Sequence, residues 1–328
     1  MKSKKPLIQN QSTKGDEITQ SLPLACIDEN AAVDFMEHHR WKSSPACPLC
    51  GSVRVYKMMK ADGKTRQANF RWRCHDCKGQ YTVRKGTVLE DSAIPLRHWN
   101  YAFWRAATSK KGVSALEIHR QTGVCYKSSL FMLHRIRFAM ADSANTQLGM
   151  TSGTVEADET YFGNKEGQPK GRGASHKHAI FSMVERGGSV RSFHVAKVNA
   201  KTLGPILAEH VAKSAELMTD DAVVYDRLGK SFARHAVVNH SANEYVRGDA
   251  FTNTAEGFFS LLKRGLNGIY HNVSEQHLHR YLAEYDFRYS NRALSDGQRT
   301  ALAIKQADGK RLMYRCPSEQ TSGQEIGN

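Results

Sequence analysis

The stretch GTVEADETYFG, residues 153–163, has the pattern of a β-strand but carries three acidic residues. Side chains alternate along a strand, which places Glu156 and Asp158 on one face and Glu159 on the other. The residues around Asp158 otherwise suit a buried strand, and a carboxylate is costly to bury there unless it is paired or binds a metal ion. Asp158 is therefore the first candidate for a functional acid.

The segments that follow this strand predict an α/β domain. Residues 178–198, HAIFSMVERGGSVRSFHVAKV, are typical of two strands joined across Gly187-Gly188 as a hairpin. The later predicted elements are a helix at about 202–213, strands at 215–220 and near 235–240, and helices at 252–265 and 274–292. This order indicates a mixed sheet with helices, which we predict over residues 150–295.

Two further acids stand where separate elements could bring them to Asp158. Asp220 ends a short predicted strand, and the carboxyl ends of strands are where α/β folds bind ligands. We interpret its neighbour Asp221 as a cap of the following turn or helix. Glu256 lies in the helix predicted after these strands. Enzymes that transfer phosphoryl groups with two divalent ions need carboxylates from separated parts of the chain, and these three fit that requirement.

The helix TNTAEGFFSLLKRG, residues 252–265, is predicted to have two distinct faces. Phe258, Leu261 and Leu262 form an apolar stripe that would pack on the rest of the domain. At about 100° per residue, the opposite sector contains Asn253, Glu256, Ser260, Lys263 and Arg264. This sector places a carboxylate two turns before a Lys-Arg pair.

Four cysteines predict a structural zinc site. Cys47 and Cys50 form one CxxC pair and Cys74 and Cys77 form another, a spacing typical of a zinc ribbon. Four protein ligands leave no open position on the ion, so one Zn²⁺ here would stabilise the fold. We assign residues 28–92 to a short helix, over 28–41, followed by this ribbon.

Residues 93–145 are predicted to be helical, with a helix-turn-helix-like pair of helices broken at Gly123. In a DNA-binding arrangement the second helix would enter a major groove, and Lys127, Ser128 and Arg135 are its candidate DNA contacts. A plain helical hairpin would give nearly the same pattern. The two ends, residues 1–27 and 296–328, are predicted to be a flexible segment and a tail.

The overall charge points to a polyanionic partner. The 328 residues include 47 Lys and Arg against 32 Asp and Glu, a formal net charge of +15. Such a balance favours nucleic acid as partner. No apolar run is long enough to span a membrane, and the first 20 residues lack the apolar core of a signal peptide. We therefore expect no membrane partner and a cytosolic location.

The motifs CPLCGS, VEADETYFG, LMTD and FTNTAEGFFSLLKRGLNGIYHN together resemble the zinc-ribbon DDE transposases of bacterial insertion sequences, the ISXO-type group. The likeness runs from about residue 28 to 315. It implies an RNase H-like catalytic domain whose Asp-Asp-Glu triad is Asp158, Asp220 and Glu256, followed by Lys263. Some members carry an amide as third member, so Asn253 is the alternative to Glu256.

The resemblance also implies cofactors, partners and a reaction. Two Mg²⁺ or Mn²⁺ ions would be held by the triad, while Lys263 and Arg264 would contact DNA phosphates. The DNA partners would be the terminal inverted repeats and the target, bound by at least a dimer. Two other functions fit the same residues: a DNA-binding regulator derived from a transposase, and a two-metal nuclease that cuts DNA without strand transfer.

Overall fold

A helical N-terminal half with a small sheet is joined to a C-terminal half built on a five-stranded sheet. The computed structural model describes residues 17–42, 45–141, 146–150, 153–165, 176–238 and 251–313. The chain begins, within this range, with α1 (Glu17–Ala25) and α2 (Glu29–Trp41). Asp28 caps α2 by accepting a hydrogen bond from the Ala31 backbone N–H at 2.8 Å, and the predicted helix over 28–41 is confirmed.

Helix α1 corrects part of the predicted flexible N-terminal segment. Leu22 and Ala25 are buried in the core that α1 shares with α2 and with later helices. The prediction for residues 1–27 is therefore wrong over Glu17–Ala25, because Leu22 and Ala25, three residues apart on one face, dock the short helix onto the core. Residues 1–16 lie outside the described part of the chain.

The ribbon is an antiparallel sheet of three short strands, β1 (Val55–Lys57), β2 (Trp72–Cys74) and β3 (Gln80–Tyr81), in that order. The buried carboxylate of Glu37 on α2 ties this sheet to the helices. It accepts two hydrogen bonds from the Arg66 guanidinium, at 2.9 and 2.6 Å, and one from the Trp72 indole N–H at 2.7 Å. A two-pronged arginine contact of this kind fixes orientation as well as distance.

The four ribbon cysteines form one cluster whose shape fits zinc. Their Sγ atoms all lie within 4.8 Å of one another, and the pairs Cys47–Cys77 and Cys50–Cys74 are each 3.7 Å apart. Zn–S bonds of about 2.3 Å in a tetrahedron place the sulfurs about 3.8 Å apart. The backbone N–H groups of Leu49 and Asp76 also approach Cys47 and Cys74 Sγ at 3.4 Å, contacts that stabilise thiolates. The donor set therefore fits one structural Zn²⁺.

Three helices follow the ribbon: α3 (Leu96–Thr108), α4 (Ala115–Thr122) and α5 (Tyr126–Met140). The side chain of Ser114 caps α4 by accepting the Glu117 backbone N–H at 3.1 Å. Gly123 ends α4 in the left-handed conformation, with φ 72°, which a glycine adopts without strain. Residues 123–125 alone separate α4 from α5, and the two helices pack together. This arrangement fits both the predicted helix-turn-helix and a plain helical hairpin.

The C-terminal half is organised around β4 (Thr154–Phe162), which lies in the middle of its sheet. Its other elements, in chain order, are β5 (His178–Glu185), β6 (Val190–Val195), α6 (Ala200–His210), β7 (Glu216–Asp220), α7 (Val224–Leu228), β8 (Arg234–Val238), α8 (Asn253–Gly265) and α9 (Glu275–Ser290). The strand order is β6-β5-β4-β7-β8. Strands β4 to β6 are antiparallel, whereas β7 and β8 run parallel to β4, so the predicted mixed sheet is confirmed as an RNase H-like arrangement.

Alternation along β5 assigns its two faces to different helices. Phe181 and Met183 pack with Leu203 and Leu207 of α6 on one side. On the other side, Ile180 and Val184 of β5 pack with α8 and α9. Both faces of the sheet are therefore covered, which explains the fully buried pattern of β5. None of the helices in the described ranges has the length and apolar character needed to cross a bilayer.

Helix α10 (Asp296–Lys305) corrects the predicted tail. It returns to the N-terminal half and packs against α1, α2 and α3, with Ala303 and Ile304 buried. Just beyond it, Asp308 forms a salt bridge to Arg40 at 2.7 Å. The prediction of a tail over 296–328 is therefore wrong for the helix, while residues 314–328 lie outside the described part of the chain.

A buried charge cluster links the two halves. Arg137 on α5 donates from Nε to Glu284 Oε2 on α9 at 2.6 Å, and each side chain is 1% exposed. Glu284 also accepts hydrogen bonds from Tyr270 Oη at 2.7 Å and from Arg288. Breaking a buried pair of this kind leaves an uncompensated charge, so the cluster holds α5 and α9 in one relative position.

The ribbon geometry predicts that Cys74→Ser lowers the bound zinc by one equivalent per chain relative to the wild type. Serine keeps the side-chain size but supplies no thiolate, and a structural zinc site contributes directly to folding. Metal analysis of the purified, desalted protein checks this, together with tryptophan fluorescence, to which Trp41 and Trp72 contribute from the ribbon core. Cys125→Ser, an exposed cysteine outside the cluster, is the control and should retain the wild-type zinc content. Equal zinc in both variants would contradict the assignment.

Candidate functional site

Asp158 and Asp220 lie on two adjacent strands, β4 and β7. The parallel ladder between β4 and β7 pairs Thr154 with Glu216 and Glu156 with Met218. The paired residues end there, and the same offset carried two residues further would put Asp158 level with Asp220. The two acids are close enough for the charge of Asp220 to raise the pKa of Asp158. Asp220 is the last residue of β7, whereas Asp158 is the middle residue of β4. The fold therefore brings together two acids that are 62 residues apart in the sequence.

The electrostatics around Asp158 are those of several carboxylates in a partly buried place. Burial raises the pKa of Asp158 from 3.8 to about 7; a hydrogen bond from the Glu159 backbone N–H, at 2.7 Å, acts in the opposite direction. The negative charges of Asp220, Glu159 and Glu256 add to the increase. A cation bound among these groups would relieve both the desolvation and the repulsion.

Glu156, the other acid on this face of β4, has a different role. It is fully buried and accepts hydrogen bonds from the Thr254 N–H at 2.8 Å, the Thr254 hydroxyl at 2.8 Å and the Ala255 N–H at 3.0 Å. The two N–H groups belong to the first turn of α8, where no hydrogen bond within the helix is available to them. The side chain of the N-cap residue, Thr252, makes no capping hydrogen bond. A strand carboxylate thus caps the helix and complements its positive end.

Arg186 completes the contact between β4 and the start of α8. Its Nε donates to Glu156 Oε1 at 2.7 Å, and its Nη2 donates to the Phe251 carbonyl at 2.9 Å. The guanidinium also lies 3.5 Å from the centre of the Phe251 ring. The entry of α8 is therefore fixed to the strand that carries Asp158. The sequence placed Glu156 on the same face as Asp158, but its capping role was not predicted. The available signal was the presence of a second acid on a face of the strand that is expected to be buried.

Two further acids near Asp158 accept hydrogen bonds from α7 or from the residues just before it; they are Glu159 and Asp220. Glu159, predicted to face away from Asp158, accepts a hydrogen bond from Tyr225 Oη of α7 at 2.6 Å. Burial raises the pKa of Glu159, and the Tyr225 hydrogen bond partly offsets this. Asp220 Oδ1 accepts the Ala222 N–H at 3.2 Å, while Asp221 is exposed. Asp220 is thus better placed than Asp221 to face Asp158.

Helix α8 has the two faces that its sequence predicts. Phe258 and Leu262 are buried and Leu261 is half-buried. The predicted polar sector is exposed throughout: Asn253, Glu256, Ser260, Lys263 and Arg264. Glu256 lies in the first turn, directly after the N–H groups that Glu156 binds, and Arg264 Nε donates to the Ser260 carbonyl at 3.0 Å. One helix therefore presents an acid near Asp158 and a basic pair two turns away.

The predicted DNA contacts on α5 separate into two groups. Lys127 is exposed and Ser128 half-buried in the first turn of the helix, beside the half-exposed ring of Tyr126. Arg135 is 9% exposed; its Nη1 donates to the Glu90 carbonyl at 3.0 Å, and its guanidinium lies over the Phe131 ring. The prediction of a DNA contact by Arg135 is therefore wrong, because its face of α5 packs inside the protein.

Comparison with known proteins agrees with both halves of the fold. A family model described as the transposase zinc-ribbon domain matches residues 27–80, and one described as the ISXO2-like transposase domain matches residues 150–290. A protein of Halobacterium salinarum described as an uncharacterized protein in transposable element ISH50 is 31% identical over 293 residues, which cover 80% of this chain and 91% of the relative. The resemblance found in the sequence is confirmed, and the chain belongs to the ISXO2-like transposases with an N-terminal zinc ribbon.

Proposed function

We propose that this transposase binds the ends of its insertion sequence and catalyses metal-dependent strand cleavage and strand transfer, with Asp158, Asp220 and Glu256 as the triad. The observation that carries the proposal is the position of Asp158: a partly buried acid on the central strand, close enough to Asp220 and Glu256 for their charges to act on it. Acids held together at such a cost are typical of functional sites.

The donor set fits hard divalent ions. Carboxylate oxygens are the ligands that Mg²⁺ and Mn²⁺ prefer. The pKa of Asp158 is raised first by burial and then by the negative charges of Asp220, Glu159 and Glu256, and a bound cation would offset both effects. Asp158, Asp220 and Glu256 would hold two such ions, which when bound neutralise phosphate charge and make an attacking hydroxyl more acidic. The charge of Glu256 on Asp158 supports Glu256 over the neutral Asn253 as third member of the triad.

The chain's own residues position the site and its substrate. Glu156 and Arg186 hold the start of α8 on β4, so the distance of Glu256 from Asp158 follows from the hydrogen bonds at the helix N-terminus. Lys263 is exposed two turns beyond Glu256 on the same face and would bind a DNA phosphate next to the scissile one. Arg264 would contact the same strand.

We propose that the beginning of α5 recognises the ends of the insertion sequence, and that the positive charge of the chain strengthens the binding. Lys127 and Ser128 are accessible at the N-terminus of α5, the part of a second helix that meets base edges in helix-turn-helix proteins. With a net charge of +15, binding would weaken steeply as salt increases. Transposition joins two element ends, so we propose that at least two copies of the chain act together on DNA.

Asp158→Asn and Asp220→Asn should each reduce strand cleavage at least about 100-fold, about 2.7 kcal/mol of transition-state stabilisation, while leaving end binding nearly unchanged. An amide keeps the shape but removes the charge that a metal ligand needs. The assay combines purified protein, labelled end DNA, a target plasmid and Mg²⁺. Asp221→Asn, the exposed neighbour, is the matched control and should keep wild-type cleavage.

The products of the same assay separate the candidate functions. Labelled ends joined to plasmid support a transposase. Cut ends that are never joined would indicate a nuclease, and retarded but uncut DNA would indicate a DNA-binding regulator. Wild-type cleavage by either Asp158→Asn or Asp220→Asn would refute the triad.

The raised pKa of Asp158 gives a stability prediction of known sign. Without added Mg²⁺, the folded state holds the Asp158 proton up to about pH 7, whereas the unfolded chain releases it near 3.8. Burial of this carboxylate therefore destabilises the fold increasingly as pH rises through that window. Asp158→Asn removes the penalty and should raise the free energy of unfolding at pH 8 by about 2–4 kcal/mol, with little difference near pH 4. Urea unfolding at both pH values measures this; a loss of stability at pH 8 would contradict it.

Glu156→Gln should lower the free energy of unfolding by about 1–3 kcal/mol, because the Arg186 charge and the N–H groups of α8 lose their anionic partner. Cleavage should fall as well, since Glu256 is carried by the same helix. The measurements are the urea midpoint and the cleavage rate at a temperature where the variant stays folded. Glu209→Gln, an exposed acid on α6, is the control and should change stability by less than about 0.5 kcal/mol. Unchanged stability in Glu156→Gln would show that capping by Glu156 is unimportant.

A further inference from the structure

A second group of metal-ligating side chains lies apart from both the ribbon and the proposed triad. It consists of His178 at the start of β5, His194 near the end of β6 and Glu275 in the first turn of α9. One ligand atom from each lies within 4.8 Å of the others. Three separate elements therefore place two imidazoles and a carboxylate around one point.

The position follows from the register of the sheet. His194 is opposite Ile180, two residues from His178, so both imidazoles belong to the alternation that faces α9. Further along the same face, Ser182 and Ser192 share a hydrogen bond at 2.8 Å, and Ser192 donates from Oγ to Asp286 Oδ1 at 2.7 Å. At the far end the Val190 N–H donates to Ser290 Oγ at 3.1 Å. Hydrogen bonds thus fix α9 to the hairpin at two levels, and the histidine cluster is at a third.

At this third level the polar atoms are close but not hydrogen-bonded. His178 Nδ1 is 3.8 Å from Glu275 Oε2, and His194 Nε2 is 3.7 Å from Glu275 Oε1. Hydrogen bonds between such groups are 2.7–3.2 Å long. Both ring nitrogens are buried without a hydrogen-bond partner, and the His178 side chain is only 4% exposed. Leaving buried polar atoms unsatisfied is costly, which calls for a further group at this place.

We propose that His178, His194 and Glu275 bind a second Zn²⁺, independent of the ribbon zinc. Imidazole nitrogen and carboxylate oxygen are established zinc donors, and bonds of 2.0–2.1 Å in a tetrahedron put ligand atoms about 3.3 Å apart. The two separations from the imidazoles to the Glu275 carboxylate, 3.8 and 3.7 Å, exceed this by a few tenths of an ångström, and all three ligand atoms lie within 4.8 Å of one another. Small movements of the three side chains would therefore bring them into bonding range. Glu275 is 57% exposed, which leaves the fourth position to water.

The ion would act as a clamp between the hairpin and α9. His178 is the residue at which the connection from β4 re-enters the sheet, after residues 163–177. Glu275 begins the helix that carries Glu284 and Asp286, the residues that hold α9 to α5 and to β6. A metal ion at this level would fix the start of β5 and the start of α9 relative to each other. This role does not depend on the proposed catalytic reaction.

The test is the zinc content of the full-length chain in the Asp158→Asn background, which keeps the proposed catalytic acids from contributing. Protein saturated with Zn²⁺ and desalted in Mg²⁺-containing buffer should contain two zinc ions per chain. Adding Glu275→Gln, at an exposed position, should lower this to one. His194→Asn should do the same. Glu209→Gln and His38→Asn, exposed residues on α6 and α2, are the matched controls and should retain two.

Cobalt substitution identifies which site has been lost. Co²⁺ in the ribbon gives intense thiolate charge-transfer absorption, whereas Co²⁺ bound by two histidines and a carboxylate gives only weak visible bands. Glu275→Gln and His194→Asn should remove the weak bands and leave the thiolate absorption unchanged. A single zinc ion in the parent protein, or equal zinc in parent and both variants, would overturn the proposal.

Discussion

Two carboxylates on one face of the central strand shape the C-terminal half of this protein. Glu156 and Asp158 are both held away from water on β4, where an unpaired charge is costly. Glu156 is satisfied completely, by the N-terminus of α8 and by Arg186. Asp158 receives one backbone hydrogen bond and is surrounded by further acids. The first carboxylate therefore stabilises the fold, whereas the second has few partners within the protein, as the proposed metal ligand would.

The same logic of paired buried charge joins the two halves of the chain. Glu284 on α9 is shared by Arg137 of α5 and Arg288, and Tyr270 contributes a further hydrogen bond. Glu37 plays the corresponding part between α2 and the ribbon. Such pairs contribute little net stability compared with an apolar core, but they tolerate only one arrangement. The Glu284 cluster sets the position of α5 relative to the C-terminal half, and Glu37 sets the position of the ribbon relative to α2.

The sequence predicted the catalytic half well because its signals are local. Alternation around Asp158, the Gly187-Gly188 turn and the stripe of Phe258 and Leu262 each depend on neighbours within one element. The predictions failed where distant packing decides. Arg135 has the sequence context of a surface cation, yet Glu90 and Phe131 enclose it. The residues of helices α1 and α10 were predicted to belong to a flexible segment and a tail. Both helices instead pack with α2 and α3 in one hydrophobic core, so residues from the two ends of the chain stabilise each other.

By itself the sequence determined the types of most elements and the four cysteines of the zinc ribbon, and it proposed the acids of the site, since residue type and spacing carry that information. Only the tertiary structure decided which acid does what. Glu156 and Asp158 are indistinguishable by alternation, and their roles differ because α8 begins over one and not over the other. It also decided that His178, His194 and Glu275 meet, because strand register and helix docking bring together residues up to 97 positions apart. Those long-range contacts have no local pattern in the chain.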